Sequence, residues 1–269
     1  MPAPTPERFR SRTGKPTPPP AAPVEARAEA VTWLGHSCAK IELDGVLVVT
    51  DPVLRKRIAH LRRKDPVDPA TLAGVDVILI SHLHYDHLDL PSLDRLDLRA
   101  QVIVPAGAGG LLRRRGFRFV REVHVGDEVD VGGIRVRVTY AEHGSGRRMG
   151  TGKTVPVGYV VAGTRNVYFA GDTDLFEEMS ALGRVDVALL PVAGWGPRLP
   201  AGHMDPVRAV RALELIRPRI AVPIHWGTYA PWRPHSVDTP AAAFAELAAG
   251  VVPAVDVRVL RPGQSCPLV

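Results

Sequence analysis

The chain has 269 residues, 45% of them hydrophobic and 23% charged, with a formal net charge of +6. That length can bury a large core and suits one domain of sandwich or barrel size, and the composition is that of a soluble globular protein. It excludes a helical membrane span, since no apolar run approaches the roughly 18–20 residues required. It also argues against a disulfide framework, since the two cysteines, Cys38 and Cys266, stand far apart.

Residues 1–28 are rich in proline, with Pro18-Pro19-Pro20 at the centre and few large apolar side chains. Such a segment cannot bury enough surface to offset its ordering entropy, so it reads as a flexible arm. It carries no hydrophobic stretch of the secretory type, and a cytoplasmic protein is expected. Residues 29–269 form the expected domain, with order beginning near Val31. Short β-rich runs follow one another: VTWLGHSCAKIEL (31–43), VLVVTD (46–51), VDVILISH (75–82), QVIVP (101–105) and the long stretch 123–143. More come in VGYVVAG (157–163), NVYFAGD (166–172), VDVALLPV (185–192) and RIAVPIHW (219–226). Asp205-Pro206 supplies a cap and a first-turn proline for a helix, with Val207, Val210, Leu213 and Ile216 at helical spacing. Thr239-Pro240 opens a second helix through Phe244 and Leu247, closed by Gly250. Strands first, then strands alternating with helices, predict an α/β layered sandwich.

Three arginine-rich runs, at 55–57, 62–64 and 113–115, carry much of the charge. They read either as a basic rim that attracts anionic substrates or as a solvated surface. No aromatic residues interleave them, so no specific nucleic-acid partner is expected.

HLHYDH places His82, His84, Asp86 and His87 directly after a strand that alternates too little to lie on a surface. A short loop can aim several side chains into one cleft, which a regular strand cannot, because its neighbours alternate faces. Imidazole and carboxylate suit zinc, manganese or iron. His82 and His84, two apart, can share one ion, and Asp86 and His87 then face a second. Other β-rich runs end in His143, Asp172 and His225, which are the expected remaining ligands. Seven ligands fit two divalent ions with Asp172 between them. Such a pair can hold a hydroxide at neutral pH and clamp the attacking and leaving oxygens of a hydrolysis. Zinc is the default, with Mn2+ or Fe2+ as alternatives.

The order HxHxDH, a distant His, Asp in GDT and a late His resembles the metallo-β-lactamase superfamily from Val31 onward. TWLGHSC, TDPV, SHLHYDHLD, YFAGDTD, GHMDPVRAV and AVPIHWGTY look like the branch of the N-acylphosphatidylethanolamine-hydrolysing phospholipase D, and part of the pattern is shared with ascorbate-6-phosphate lactonases. The resemblance implies a four-layer αββα sandwich with metals at one edge of its two sheets. It implies His82, His84 and His143 on one metal, Asp86, His87 and His225 on the other, and Asp172 bridging. It also places His203 where the branch has a further active-site histidine, able to bind a phosphate oxygen or protonate a leaving group. Asp51, in TDP, is expected to orient a metal-bound histidine. Asp86, His203 and Asp51 are thus the expected catalytic group.

His36, in GHS, is expected either to line the substrate pocket or to be a buried structural histidine. The loop GSGRRMGTGKT (144–154) ends like a phosphate-binding loop, but Arg147 stands where glycine is needed and a strand follows. It reads as a flap from which Arg147 or Lys153 reaches an anionic substrate, or as a plain solvated loop. Three functions follow: a phosphodiesterase, a lactonase or other carbonyl-ester hydrolase, and a non-catalytic metal-bound binding protein. No segment reads as a helix lying in a membrane surface, so a small anionic substrate is expected rather than a bilayer. Assembly into a homo-oligomer is compatible with the sequence.

Overall fold

The structure is a computed structural model and describes residues 28–144, 154–193, 199–230 and 239–268. In chain order the N-terminal half supplies β1 (Ala30–Gly35), β2 (Cys38–Leu43), β3 (Val46–Thr50), β4 (Arg57–Ile58), β5 (Leu61–Arg63), β6 (Val77–Leu79), α1 (Leu90–Leu93), β7 (Gln101–Pro105), α2 (Gly109–Arg113) and β8 (Phe119–Val123). The rest supplies β9 (Glu128–Val131), β10 (Ile134–Tyr140), β11 (Val157–Ala162), β12 (Asn166–Phe169), β13 (Val187–Pro191), α3 (Pro206–Ile216), β14 (Ile220–Ile224), β15 (Tyr229–Ala230), α4 (Thr239–Val251), β16 (Asp256–Val257) and β17 (Ser265–Pro267).

Two seven-stranded sheets result, ordered β17-β1-β2-β3-β6-β7-β8 and β16-β14-β13-β12-β11-β10-β9. Each is antiparallel at one side and parallel at the other: β3, β6, β7 and β8 run parallel in the first, and β12, β13, β14 and β16 in the second. Parallel strands are covered on both faces, and β6 shows it. Val77 and Leu79 point into the core between the sheets, while Ile78 packs outward with Leu93 of α1 and Leu112 of α2. On the second sheet, Tyr168, Ala188 and Leu190 pack outward against Val210, Leu213 and Ile216 of α3 and Phe244 of α4. One core between the sheets and one under each helical layer make the four-layer αββα sandwich.

The helix signals act as expected, with two corrections. The Asp205 side chain accepts from the Arg208 N–H at 2.8 Å, a cap worth about 1 kcal/mol. Val207, however, is 65% exposed. Steps of three residues drift around a helix of 3.6 residues per turn, so the buried face is Ala209, Val210, Ala212, Leu213 and Ile216. The helix that Gly250 was expected to close continues one residue further, to Val251.

Several residues of the arginine runs are paired. Arg55 binds Asp89 through Nη2 at 2.7 Å, Arg113 binds Glu122 at 3.0 Å, and Arg115 binds Asp94. Arg63 is buried in a small sheet of order β15-β5-β4. Its guanidinium donates to the carbonyls of Leu34, Val53 and Asp65 and to the Tyr229 hydroxyl. Gly35 makes room for it: a Cβ there would meet Arg63 Nη2 at 2.7 Å, and its φ is +104°. This arginine ties loops together and forms no part of an exposed rim.

Candidate metal centre

The carboxyl ends of parallel strands are where α/β sheets place their sites, and here both sheets converge at that edge. Asp51 follows β3, the turn from His82 to His87 follows β6, Asp172 follows β12 and His225 follows β14, while His143 comes off the end of the antiparallel β10. Among the described residues six non-glycine residues have positive φ, and His36 (55°), Asp51 (32°) and His225 (61°) are three of them. Strain of this kind collects where a site over-determines the backbone.

Three ring nitrogens meet at one position. His84 Nδ1 lies 2.9 Å from His82 Nε2 and 3.1 Å from His143 Nε2. The protons of two of these rings are committed elsewhere. His143 Nδ1 donates to the Gly202 carbonyl at 2.6 Å. Ser81 gives its only hydroxyl proton to Asp51 Oδ2 at 2.5 Å, so His82 Nδ1 is the donor in its 2.9 Å contact with Ser81 Oγ. His82 and His143 therefore turn bare lone pairs toward His84, which a cation satisfies together and a single His84 Nδ1 proton must divide between them.

A second position lies beside it. Asp172 Oδ2 is 3.0 Å from His87 Nε2, 3.2 Å from His225 Nε2 and 3.9 Å from His82 Nε2, so it faces both positions. Asp86 Oδ2 lies 3.6 Å from the Nε2 atoms of both His87 and His225. His87 Nδ1 donates to Asp51 Oδ2 at 2.6 Å, and His225 Nδ1 donates to the Ala193 carbonyl at 2.9 Å. The buried Asp172 Oδ1 makes no hydrogen bond, which is costly in a protein interior unless an ion takes it up. The donor set of imidazoles and carboxylates, with His82, His87, His143 and His225 each oriented through the far nitrogen, fits divalent metal.

The electrostatics divide in the same way. Burial, offset in part by Asp172, lowers His143 to about 4, and burial with the like charge of His87 takes His82 well below its ordinary value. Burial also opposes charge on His225, but Asp172 and then Asp86 outweigh it and lift that ring to about 9. His87 is raised in the same way, by Asp172, Asp86 and Asp51. Burial would raise the carboxyls of Asp86 and Asp172, yet the facing imidazoles hold both well below the usual range. Without metal, protons stand where the carboxylates call for cations.

His203 is buried just ahead of α3, its Nδ1 3.3 Å from the Pro200 carbonyl and its Nε2 3.4 Å from Asp172 Oδ2. His36, expected either to line the pocket or to be a buried structural histidine, is 2% exposed, and its Nε2 faces Asp86 Oδ2 at 3.1 Å. Burial and then His225 lower it to about 3, so the ring is neutral. His84, Tyr85, Asp86 and His143 form the side open to solvent. Arg147 and Lys153 lie outside the described residues, as does the arm 1–27. Sequence reasoning did not single out Ser81 or Gly202. The serine beside His82 carried a faint signal, and a carbonyl acceptor carries none.

Comparison with known proteins identifies the family. Residues 47–226 match the family model described as the beta-lactamase superfamily domain. A protein of Methanopyrus kandleri named a metal-dependent hydrolase is 33% identical over 247 residues, covering 87% of this chain and 98% of its own length. An uncharacterized protein of Mycobacterium tuberculosis is 34% identical over 274 residues, covering 91% of this chain and 73% of its own. Among solved structures, a metallo hydrolase from the archaeon Ignicoccus hospitalis superposes with a TM-score of 0.68 at 27% identity, covering 89% and 98% of the two chains. The chain belongs to the metallo-β-lactamase superfamily of metal-dependent hydrolases.

Proposed function

We propose that the chain is a two-metal phosphodiesterase, similar to the phospholipase D-like branch but taking a small anionic substrate from solution in the cytoplasm. The observation that carries this reading is Asp172 Oδ2, shared between an all-histidine set and a carboxylate-containing set of ligands. His82, His84 and His143 would hold one ion, Asp86, His87 and His225 the other, with Asp172 common to both and zinc the best match to the donors. Bound there, two divalent ions supply Lewis acidity and lower the pKa of water.

The chain's own residues do the rest. Asp51 fixes His87 directly and His82 through Ser81, so one buried carboxylate orients a ligand of each ion. His203, anchored through Nδ1 to the Pro200 carbonyl, keeps Nε2 toward the site, where it can give a proton to a departing alkoxide. No helix among the described residues is long and apolar enough to cross a membrane, and the arginines at 55, 113 and 115 are paired with carboxylates.

The test is metal analysis of the purified chain followed by a reconstituted screen of bis-aryl phosphodiesters, lactones and thioesters. We expect two ions per chain and turnover of phosphodiesters that stops on chelation. Acid release from lactones without phosphodiester cleavage would overturn the substrate assignment. Two bound ions, tight ligand binding and no turnover across the panel would make the chain a binding protein.

A further inference from the structure

Between β1 and β2 the chain reverses through Gly35 and His36, both with positive φ. At a left-handed position glycine or asparagine is the ordinary choice. This turn instead carries a histidine buried to 2% exposure, and its backbone is held from several sides. The His36 N–H donates to Thr228 Oγ1 at 2.5 Å. Its carbonyl accepts from Trp33 Nε1 at 2.9 Å and from the His225 N–H at 3.0 Å. The imidazole is therefore locked against the ligand-bearing end of β14, with its ring 4.1 Å from that of His225 and 5.2 Å from that of His87. Tyr229 closes its edge in a T-shaped contact at 5.8 Å. The atom so positioned is Nε2, 3.1 Å from Asp86 Oδ2. That same oxygen is the one turned toward His87 and His225.

We propose that His36 is a positioning residue of the carboxylate-containing metal position, donating its Nε2–H to Asp86 Oδ2 and fixing the direction in which that carboxylate faces the ion. The inference rests on the two-metal reading above and extends it to a residue outside the ligand set. Four imidazole ligands, His82, His87, His143 and His225, are oriented through their far nitrogens by Ser81, Asp51, Gly202 and Ala193. A carboxylate has no far nitrogen to hold, and Asp86 is the most exposed ligand of its position, with a side chain 14% exposed against 0% for His87 and 1% for His225. A neutral N–H donor restrains such a group without cancelling the charge that attracts the metal. The strained turn then has a reason: it delivers a ring nitrogen to Asp86 from the β1–β2 end of the same sheet.

The experiment is a competitive titration of Zn2+ into the metal-free native chain, H36A, H36N and H36Q against a chromophoric chelator. Circular dichroism and thermal melts establish that each variant is folded. Asparagine suits the left-handed backbone but falls short of Asp86, so it removes the donor even if alanine disturbs the turn. Glutamine carries an amide N–H at about the reach of Nε2. We expect two equivalents in the native chain. In H36A and H36N the second should weaken by about 10–100-fold with the first unchanged, and H36Q should regain most of the loss. Unchanged binding in all variants would overturn the inference, as would equal weakening of both equivalents. Failure of H36Q to do better than H36A would make the imidazole itself a ligand and overturn the positioning role. Fewer than two equivalents in the native chain would instead overturn the two-metal reading, and this inference with it.

Discussion

The two proposed metal positions share Asp172 and are otherwise built differently. One is made of His82, His84 and His143, which face each other with lone pairs; two of the three are partly open to solvent. The other combines Asp86, His87 and His225, is more deeply buried, and is charged enough to hold protons on its histidines. The contrast teaches that, on the two-metal proposal, the outer position would recruit a cation through neutral imidazoles, whereas the inner would recruit it through charge.

The largest effect should come from removing what the positions share. Asp172→Ala should abolish occupancy by the second ion and cut turnover by far more than the ~100-fold typical of losing an orienting partner; metal analysis and phosphodiester assay read both, and retention of two ions would break the comparison. His143→Ala should separate the positions, leaving one equivalent bound at the inner site and little activity, which metal analysis checks. Next is pH. His225 at about 9 must lose a proton to take up a metal at neutral pH, whereas His143 at about 4 is already free of its proton. Inner-site affinity should therefore fall as pH drops below about 9, up to tenfold per unit for each proton displaced, while outer-site affinity stays flat down to about pH 5. Calorimetry in buffers of different ionisation enthalpy measures those protons, and equal release at both sites would erase the distinction. The smallest effect is a pair. Asp51→Asn should weaken both equivalents by about 10–100-fold, and Ser81→Ala only the outer one by about tenfold, because the serine reaches His82 alone.

Much of this site was legible in the chain. Four ligand-type side chains crowd behind a strand buried on both faces, and the partners stand at other strand ends, because side chains at strand ends are free of the alternation that governs the strands themselves. The layers were legible for a similar reason: Asp205-Pro206 and the apolar runs state their local structure, and the placement of α3 followed. What the sequence does not display is pairing across the molecule. The contact of His36 with Asp86 spans 50 positions. The Ala193 and Gly202 carbonyls that hold His225 and His143 look the same whatever the residue type. Arg63 reads as surface charge because its partners are three carbonyls and a phenol, groups that composition cannot flag.

Gly202 carries one more consequence. Its carbonyl holds the His143 ring, and a Cβ added there would meet His143 Nδ1 at 2.9 Å and Cα at 3.1 Å, with φ at +81°. The next residue is His203. A metal ligand's orientation and the candidate proton donor thus hang on two consecutive peptide units that work as a single lever: any shift of this segment tilts one ring and swings the other in the same stroke.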